Sequence, residues 1–265
     1  MKVAELAGTS LGTRTVSYDE RDALLYAVAT GAPADQLDLV YERDLRVLPT
    51  FGLTLGLWAV EAAGDLGAYD RMTSLHAAQR TVLHRPLPKQ AKVEMSATVD
   101  AVWDKGKAAL VDIRVDSEWF TSTYAIFLPG LGGWGGERGA SGSPPEPTGP
   151  ATATRFATSP EQAVLYRLTG DDHPVHVDPE VAHGYGFGRP ILHGLCTLAV
   201  ATRLAAGAVG AHPADVRAVD ARLAAPVLPG DELTVSSAPA GNGTVVFDAA
   251  VADTSVLKNG YASFG

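Results

Sequence analysis

A stretch rich in glycine, proline and serine, residues 129–152, divides the chain into two similarly ordered halves. Apolar periodicity disappears there, as is typical of a connecting segment. In each half, an Ala- and Leu-rich segment with helical spacing, starting near Leu53 or Ile191, precedes apolar stretches with β-branched residues. RPLP at 85–88 and APVLPG at 225–230 support a weak internal repeat. The simplest architecture is a helix packed on an antiparallel sheet, formed twice.

The composition break predicts two units joined by a linker. We place the first unit at residues 1–136, the linker at 137–152 and the second unit at 153–265. The glycine-rich segment at 130–136 belongs either to the linker or to an ordered loop at a strand end. Residues 137–150 are expected to pack poorly.

Composition and charge exclude several classes of protein. The 265 residues are 46% hydrophobic, which allows a large core, and the net charge of -9 disfavours nucleic-acid binding. One cysteine, Cys196, permits no intramolecular disulfide, and the absence of a secretory signal or a long apolar run predicts a cytoplasmic chain that does not enter membranes. An anionic ligand would need a local basic patch, for which the candidates are Arg85, Lys89, Lys105 and Lys107. An equally good interpretation is that these four are ordinary solvated charges on strands.

The densest polar cluster is YRLTGDDHPVHVDPE, residues 166–180. Gly170 and Pro174 predict a turn-rich loop, so that its side chains can converge on one ligand. A carboxylate beside an imidazole is suited to acid/base chemistry near neutral pH, and Asp171 and His176 are such a pair. Metal binding is the competing interpretation, although the sequence offers no obvious further ligands.

Other residues near this cluster have structural explanations. Asp178 precedes Pro179, which is the pattern of a helix N-cap, and Asp172 is interpreted as a solvated neighbour. His193 either forms a local hydrogen bond or packs, and packing is the favoured interpretation. The glycines at 184–188 do not form a dinucleotide loop, because they are followed by Arg-Pro. Gly194 lies near the start of an apolar helix, where free N–H groups stabilise negative charge on a carbonyl oxygen.

The motif Tyr166-Arg-Leu-Thr-Gly-Asp-Asp-His-Pro-Val-His-Val-Asp-Pro179 resembles that of the hydratase 2 proteins of the MaoC-like group, which includes the hydratase part of peroxisomal multifunctional enzyme type 2. The segment from Gly186 to Cys196 resembles the Gly-Phe-x-Arg-Pro-Ile-Leu-His-Gly segment of that family. Segments at 20–32, 40–52, 75–88 and 256–264 also resemble their family counterparts, so that the similarity covers nearly the whole chain.

The resemblance implies an α+β double hotdog and reversible, (R)-specific hydration of trans-2-enoyl-CoA to (R)-3-hydroxyacyl-CoA. It implies a homodimer and no cofactor other than coenzyme A as part of the substrate. Asp171 and His176 would be the catalytic pair and the Gly194 N–H would contact the thioester oxygen. Binding positions carried over from the family are His76, Ala77, Lys105, His173 and Leu223, of which all but His173 match positions near the coenzyme A thioester.

Two departures from the family motif affect the site, and three other functions stay open. His173 stands where the family usually has Asn, and Ala77 and Ala78 replace a Gly-Glu pair. The alternatives are a 3-hydroxyacyl-[acyl carrier protein] dehydratase, an acyl-CoA thioesterase and a non-catalytic acyl-thioester-binding protein. The Asp-x4-His spacing before an HG helix favours hydration over hydrolysis.

Overall fold

The computed structural model describes residues 1–139 and 142–265, and its described strands form one antiparallel sheet. Alternating burial along most strands places one face of the sheet on the core and the other in solvent. The strands are β1 (Ser10–Tyr18), β2 (Leu75–Leu83), β3 (Ala91–Asp104), β4 (Ala108–Ser117), β5 (Phe120–Pro129), β6 (Thr152–Ala157), β7 (Val216–Leu223), β8 (Glu232–Pro239), β9 (Thr244–Val251) and β10 (Thr254–Phe264).

The helices begin where the local sequence supplies caps. The Asp19 carboxylate accepts hydrogen bonds from the N–H groups of Arg21 and Asp22, and Asp178 caps its helix as predicted. The helices are α1 (Glu20–Ala29), α2 (Leu37–Val40), α3 (Gly52–Leu55), α4 (Trp58–Asp65), α5 (Gln162–Arg167), α6 (Pro179–Gly184) and α7 (Gly194–Ala208).

The sheet repeats its order about a central pair of strands. Its order is β1-β3-β4-β5-β2-β7-β10-β9-β8-β6, so that the second half mirrors the first. Strands β2 and β7 pair from Ala78–Arg222 to Val82–Ala218. In each half the sheet curls around a central helical segment, which confirms the predicted α+β double hotdog.

The central helix of the first half is broken, whereas a continuous helix is predicted from Leu53. It ends as α3 at Leu55 and resumes as α4 at Trp58. The Tyr124 hydroxyl donates to the Leu53 carbonyl at 2.6 Å, and a Cβ on Gly56 would lie only 2.6 Å from that hydroxyl oxygen. Glycine at position 56 therefore leaves room for the tyrosine that fixes the break.

The central helix of the second half, α7, begins three residues later than the apolar pattern predicts. The segment before it is extended, because the Leu192 N–H donates to the Val227 carbonyl at 2.7 Å. Leu195, Leu198 and Val200 are fully buried against the sheet. This burial fixes the position of the first turn of α7.

The connection between the halves is anchored where it can be described. The Asp104 carboxylate accepts hydrogen bonds from Gly106, Gly133, Gly135 and Gly136, so that the glycine-rich segment is an ordered loop. The described residues of 137–150 are mostly exposed and none is buried, in agreement with the predicted poor packing, although two backbone hydrogen bonds hold the segment: the Glu137 carbonyl accepts from the Asp104 N–H and the Thr148 N–H donates to the Pro239 carbonyl. Residues 140 and 141 of the predicted linker lie outside the described residues, and the two domain boundaries stay predictions.

The two halves share one core as well as one sheet. The Gln162 amide donates to the Ala29 carbonyl, and Arg46 forms an ion pair with Asp215 across the halves. Along the chain that the structure describes, α7 is the longest helix, at 15 residues, and no helix has the length and apolar character to cross a bilayer.

Candidate active site

Asp171 lies in the turn that follows α5. Gly170 adopts φ +123°, a conformation that few side chains tolerate, and turns the chain into the protein. Only 9% of Asp171 is exposed. Burial is the main cause that raises the pKa of its carboxyl to about 7, partly offset by the His173 N–H and reinforced by Asp172 and Glu61. A carboxyl with this pKa exchanges protons near neutral pH.

His176 ends a short 3-10 turn, Pro174–His176, and its tautomer follows from one hydrogen bond. Its Nδ1 lies 2.9 Å from the Ile191 carbonyl oxygen. Because a carbonyl only accepts, Nδ1 carries the proton and Nε2 presents a lone pair. Burial lowers the pKa of His176 to about 4, so that the ring is a neutral base at pH 7.

His193 connects the two candidate catalytic residues. It is fully buried, its ring stacks on that of His176 with centroids 3.6 Å apart, and Tyr166 covers its other side at 4.8 Å. Its Nε2 donates to the backbone carbonyl of Asp171 at 3.0 Å. The favoured packing role is present together with the alternative, a hydrogen bond, whose acceptor Asp171 lies 22 residues away and which gives His193 a positioning role.

Gly194 is the first residue of α7. The first backbone N–H groups of an α-helix have no intrahelical acceptor, and the helix dipole adds positive potential at this end. A Cβ on Gly194 would collide with the Leu223 side chain, which itself lies in the cavity described next. Glycine therefore lets a substrate carbonyl and Leu223 approach the helix end together.

Most of the predicted site residues line one apolar cavity of about 390 Å³. It is lined by His76, Asp171, His176, Gly194 and Leu223 from the prediction. Residues that the sequence did not indicate complete it, among them Leu75, Phe187, Ile191, Val256 and Leu257. Only the strand register and the extended segment before α7 bring these residues together, and no local motif marks them. We call this space the thioester cavity.

Three predicted residues lie outside the lining of the thioester cavity. Ala77 is the extra residue of a bulge between His76 and Ala78. Lys105 lies beyond β3, and its ammonium group donates to the Arg138 carbonyl. His173 lines a second cavity on the other side of Asp171.

The His173 side chain explains how a histidine replaces the usual asparagine. Its Nδ1 accepts a hydrogen bond from the Val175 N–H at 3.3 Å and thereby caps the 3-10 turn. The other ring nitrogen, Nε2, then carries the proton and donates to the Tyr185 hydroxyl at 3.2 Å. An asparagine oxygen would supply the same capping acceptor.

Asp171, His176 and His193 also form the geometry of a possible metal site, with ligand atoms all within 4.8 Å of one another. The lone pair of an imidazole nitrogen lies in the ring plane. Because the His176 and His193 rings are nearly parallel, at 23°, their lone pairs run side by side and do not converge on one ion. The arrangement is better suited to proton transfer.

Comparisons with known proteins agree with this site and fold. The description "MFE-2 hydratase 2 N-terminal domain" matches residues 16–128, and "MaoC like domain" matches residues 140–259. Enoyl-CoA hydratase 2, peroxisomal, of Arabidopsis thaliana is 34% identical over 249 residues, which cover 82% of this chain and 80% of that protein. The 3-hydroxyacyl-thioester dehydratase Y of Mycobacterium tuberculosis is 36% identical over 252 residues, which cover 89% and 87%.

Solved structures resemble the whole chain. A MaoC-like dehydratase from Phytophthora capsici superposes with a TM-score of 0.88 at 27% identity, covering 99% of this chain and 97% of that one. Peroxisomal multifunctional enzyme type 2 from Drosophila melanogaster gives 0.82 at 27% identity, covering 96% and 48%. Since both halves match their family descriptions and relatives above 30% identity are covered over at least 80% of their length, this chain belongs to the MaoC-like hydratase 2 family.

Proposed function

We propose that the chain is an enzyme that reversibly hydrates trans-2-enoyl-CoA to (R)-3-hydroxyacyl-CoA. The observation that carries this proposal is the convergence of a protonatable carboxyl, a neutral imidazole and a helix N-terminus on one cavity: Asp171, His176 and Gly194. Membership of the hydratase 2 family supports both the reaction and its (R) stereochemistry.

In the proposed reaction, Asp171 and His176 hold one water molecule between them. As the water oxygen bonds to C3, His176 Nε2 takes a water proton, the double-bond electrons move toward the thioester carbonyl, and protonated Asp171 gives its proton to C2. Transfer of the proton from His176 to Asp171 then restores the pair. Dehydration is the same path in reverse.

The first turn of α7 stabilises the charge that develops on the thioester oxygen. The Gly194 N–H would donate to that oxygen, and the apolar wall around it strengthens the interaction by excluding water. Such stabilisation lowers the barrier because the oxygen is more negative in the transition state than in the substrate. No metal or redox cofactor is required by this proposal, and coenzyme A takes part only as a component of the substrate.

The coenzyme A phosphates would lie outside the thioester cavity and need cations there. Leu223 and Leu257 pair across β7 and β10 in the cavity wall, and the next pair along these strands is Arg222 with Lys258, both exposed. We assign the phosphates chiefly to Arg222 and Lys258. Lys105 remains a proposed, more distant contact.

Two further properties are proposed from the family and from composition. We propose a homodimer, which light scattering would test against the 27.6 kDa mass of one chain. We also propose a cytoplasmic location, although the Arabidopsis thaliana relative is named as peroxisomal. Fluorescence imaging of the tagged full-length chain would decide between these compartments.

The decisive experiment follows loss of the conjugated-thioester absorbance when enoyl-CoA is added, with chiral analysis of the product. Asp171→Asn and His176→Gln should each lower kcat by about a hundredfold to ten-thousandfold, and the double variant should be little worse than the worse single one. Asp178→Asn is the matched control, because asparagine caps a helix as well as aspartate does. Acyl-CoA binding without absorbance loss would refute the enzyme, free-thiol release would indicate a thioesterase, and exclusive turnover of acyl carrier protein thioesters would change the carrier.

A further inference from the structure

The second cavity, of about 480 Å³, shares one residue with the thioester cavity. Among the described residues, that residue is Asp171, which lines both cavities. The other walls of the second cavity come from β1, from the broken helix of the first half and from the loop that carries Asp171. The second cavity therefore meets the proposed reaction centre at Asp171 only.

The second cavity leads from solvent to Asp171. Arg14, Glu61 and Asp172 line it and are exposed, whereas Thr54 and Asp171 line it and are buried. The three exposed residues are charged, so that this end of the cavity is hydrated. A water molecule occupies about 30 Å³ in the liquid, and a cavity of this size holds several. Solvent water can therefore reach Asp171 from this side.

The two cavities differ in what their walls offer to water. The wall of the thioester cavity is formed largely by aliphatic side chains such as Leu192 and Val256, which do not hydrogen-bond. In the second cavity, the Thr54 and Thr169 hydroxyls each donate to the carbonyl three residues earlier, at 2.9 and 2.7 Å. Each hydroxyl oxygen keeps lone pairs that accept hydrogen bonds from water. The second cavity is the better route for water.

The bound thioester closes the other route. Under the proposed function, the thioester carbonyl lies at Gly194, C3 lies at Asp171 and His176, and the carrier extends out of the thioester cavity. Water that used this cavity would have to pass the bound acyl-CoA. An acyl group that ends soon after C3 leaves the second cavity free, since Gly194 and His176 line the thioester cavity alone.

We propose that the water of the reaction enters and leaves through the second cavity while acyl-CoA stays bound in the thioester cavity. This inference rests on the proposed hydratase function and names the route of its second substrate. In dehydration, the C3–O bond breaks, C2 loses its proton, and the water that forms beside Asp171 passes to solvent before the enoyl-CoA is released. Hydration uses the same route inward.

Isotope exchange at chemical equilibrium tests this route on the purified full chain. Crotonyl-CoA and (R)-3-hydroxybutyryl-CoA, whose acyl groups end at C4, are brought to equilibrium by the enzyme, and ¹⁸O-labelled water and ¹³C-labelled crotonyl-CoA are then added. Mass spectrometry follows the entry of both labels into (R)-3-hydroxybutyryl-CoA, and each rate is divided by the enrichment of its label.

The ratio of the two rates reports the order of release. If water can leave only after crotonyl-CoA, ¹⁸O cannot enter faster than ¹³C. If water exchanges through the second cavity while crotonyl-CoA stays bound, ¹⁸O enters faster. Because release of a bound product is often slower than the chemical step, we expect ¹⁸O to enter about threefold faster or more.

Two variants narrow the second cavity from β1, away from the loop that carries Asp171. Val16→Trp places a large side chain in the wall, and Arg14→Trp places one at the exposed end, where the core is not disturbed. The excess of ¹⁸O entry should fall toward a ratio of one. A general loss of activity slows the entry of both labels and leaves the ratio within one variant unchanged.

Ser17→Trp is the matched control. Ser17 is exposed on the same strand but lines neither cavity, because side chains alternate between the two faces of β1. Its ratio should equal that of the wild type. Circular dichroism of each variant confirms that the compared proteins are folded.

Each outcome decides between the two proposals. Entry of ¹⁸O no faster than ¹³C in the wild type would overturn this inference and leave the proposed function intact, since both labels would still enter. A high ratio that persists in folded Val16→Trp and Arg14→Trp would also overturn it, because water would then use another route. No entry of either label, with this or a longer enoyl-CoA, would overturn the proposed function.

Discussion

His193 stacks on His176 with ring centroids 3.6 Å apart and an angle of 23° between the planes. The same His193 side chain donates a hydrogen bond to the Asp171 carbonyl, 22 residues earlier in the chain. One buried ring therefore sets the distance between the two groups that share the proposed water. His193 also directly precedes Gly194, so that it links the acid, the base and the helix end.

Substitution of His193 should slow turnover more than it weakens binding. His193→Phe keeps an aromatic surface for His176 but removes the donor to Asp171, and we expect kcat to fall by about tenfold to a hundredfold, because misplacement of catalytic groups is costly. His193→Gln retains an amide donor and should lose less. Stopped-flow kcat and KM for both variants test this, and equal losses in the two would assign His193 a packing role only.

The pH profile of kcat/KM should be bell-shaped, with limbs near pH 4 and pH 7. Below about pH 4, His176 becomes protonated and loses its lone pair, and above about pH 7, Asp171 loses the proton destined for C2. Dehydration must give the same profile, because the equilibrium constant does not depend on pH and both directions use one proton on the pair. A rate that keeps rising to pH 9 would show that ionised Asp171 is the working form.

His173→Asn should keep substantial activity. The asparagine oxygen can replace Nδ1 of His173 as the acceptor for the Val175 N–H, so that the 3-10 turn and His176 stay in position. His173→Ala removes this acceptor and should lower both kcat and thermal stability. If His173→Asn were inactive while His176→Gln remained active and folded, the base would have to be reassigned to His173.

Arg222→Gln should raise KM for acyl-CoA by about threefold to tenfold and leave kcat nearly unchanged. The reason is its place beside Leu223: side chains alternate along β7, so that Arg222 lies on the exposed face of the sheet, where a phosphate outside the thioester cavity would meet it without touching C2 or C3. Lys105→Gln should have a smaller effect, since its ammonium group is engaged with Arg138. The KM of each variant at low and high salt measures the difference, and a larger effect at Lys105 would reverse the assignment.

Much of the fold and of the catalytic pair is readable from sequence because the signals are local. Asp171 and His176 lie within one motif, and Asp178-Pro179 marks a helix start by its own chemistry. Both predictions depend on residues a few positions apart.

The rest of the site depends on contacts between segments that are distant along the chain. A single sequence gives no direct sign of which distant residues meet. The helix break at Gly56 requires Tyr124, which is 68 positions away, and Leu57 and Trp58 beside the break line the second cavity next to Asp171. The His193 hydrogen bond to Asp171 likewise depends on how two loops pack. Apolar spacing predicts a continuous helix through Gly56, and at His193 the sequence favours packing over a local hydrogen bond.

Asp171→Asn should stabilise the fold at alkaline pH while it abolishes most of the activity. The pKa of Asp171 is raised from 3.8 to about 7, so that the folded protein binds an extra proton between these values. Stability from this group is therefore fully present below pH 3.8 and is lost as the pH rises through 7. One unit of pKa equals about 1.4 kcal/mol, so the gain in unfolding free energy at pH 8 should be of the order of 2–4 kcal/mol. Urea unfolding of wild type and variant at pH 5 and pH 8 measures this. If the difference between Asp171→Asn and wild type were the same at both pH values, burial would not be raising the pKa of Asp171, and the proposed proton donor to C2 would have to be another group.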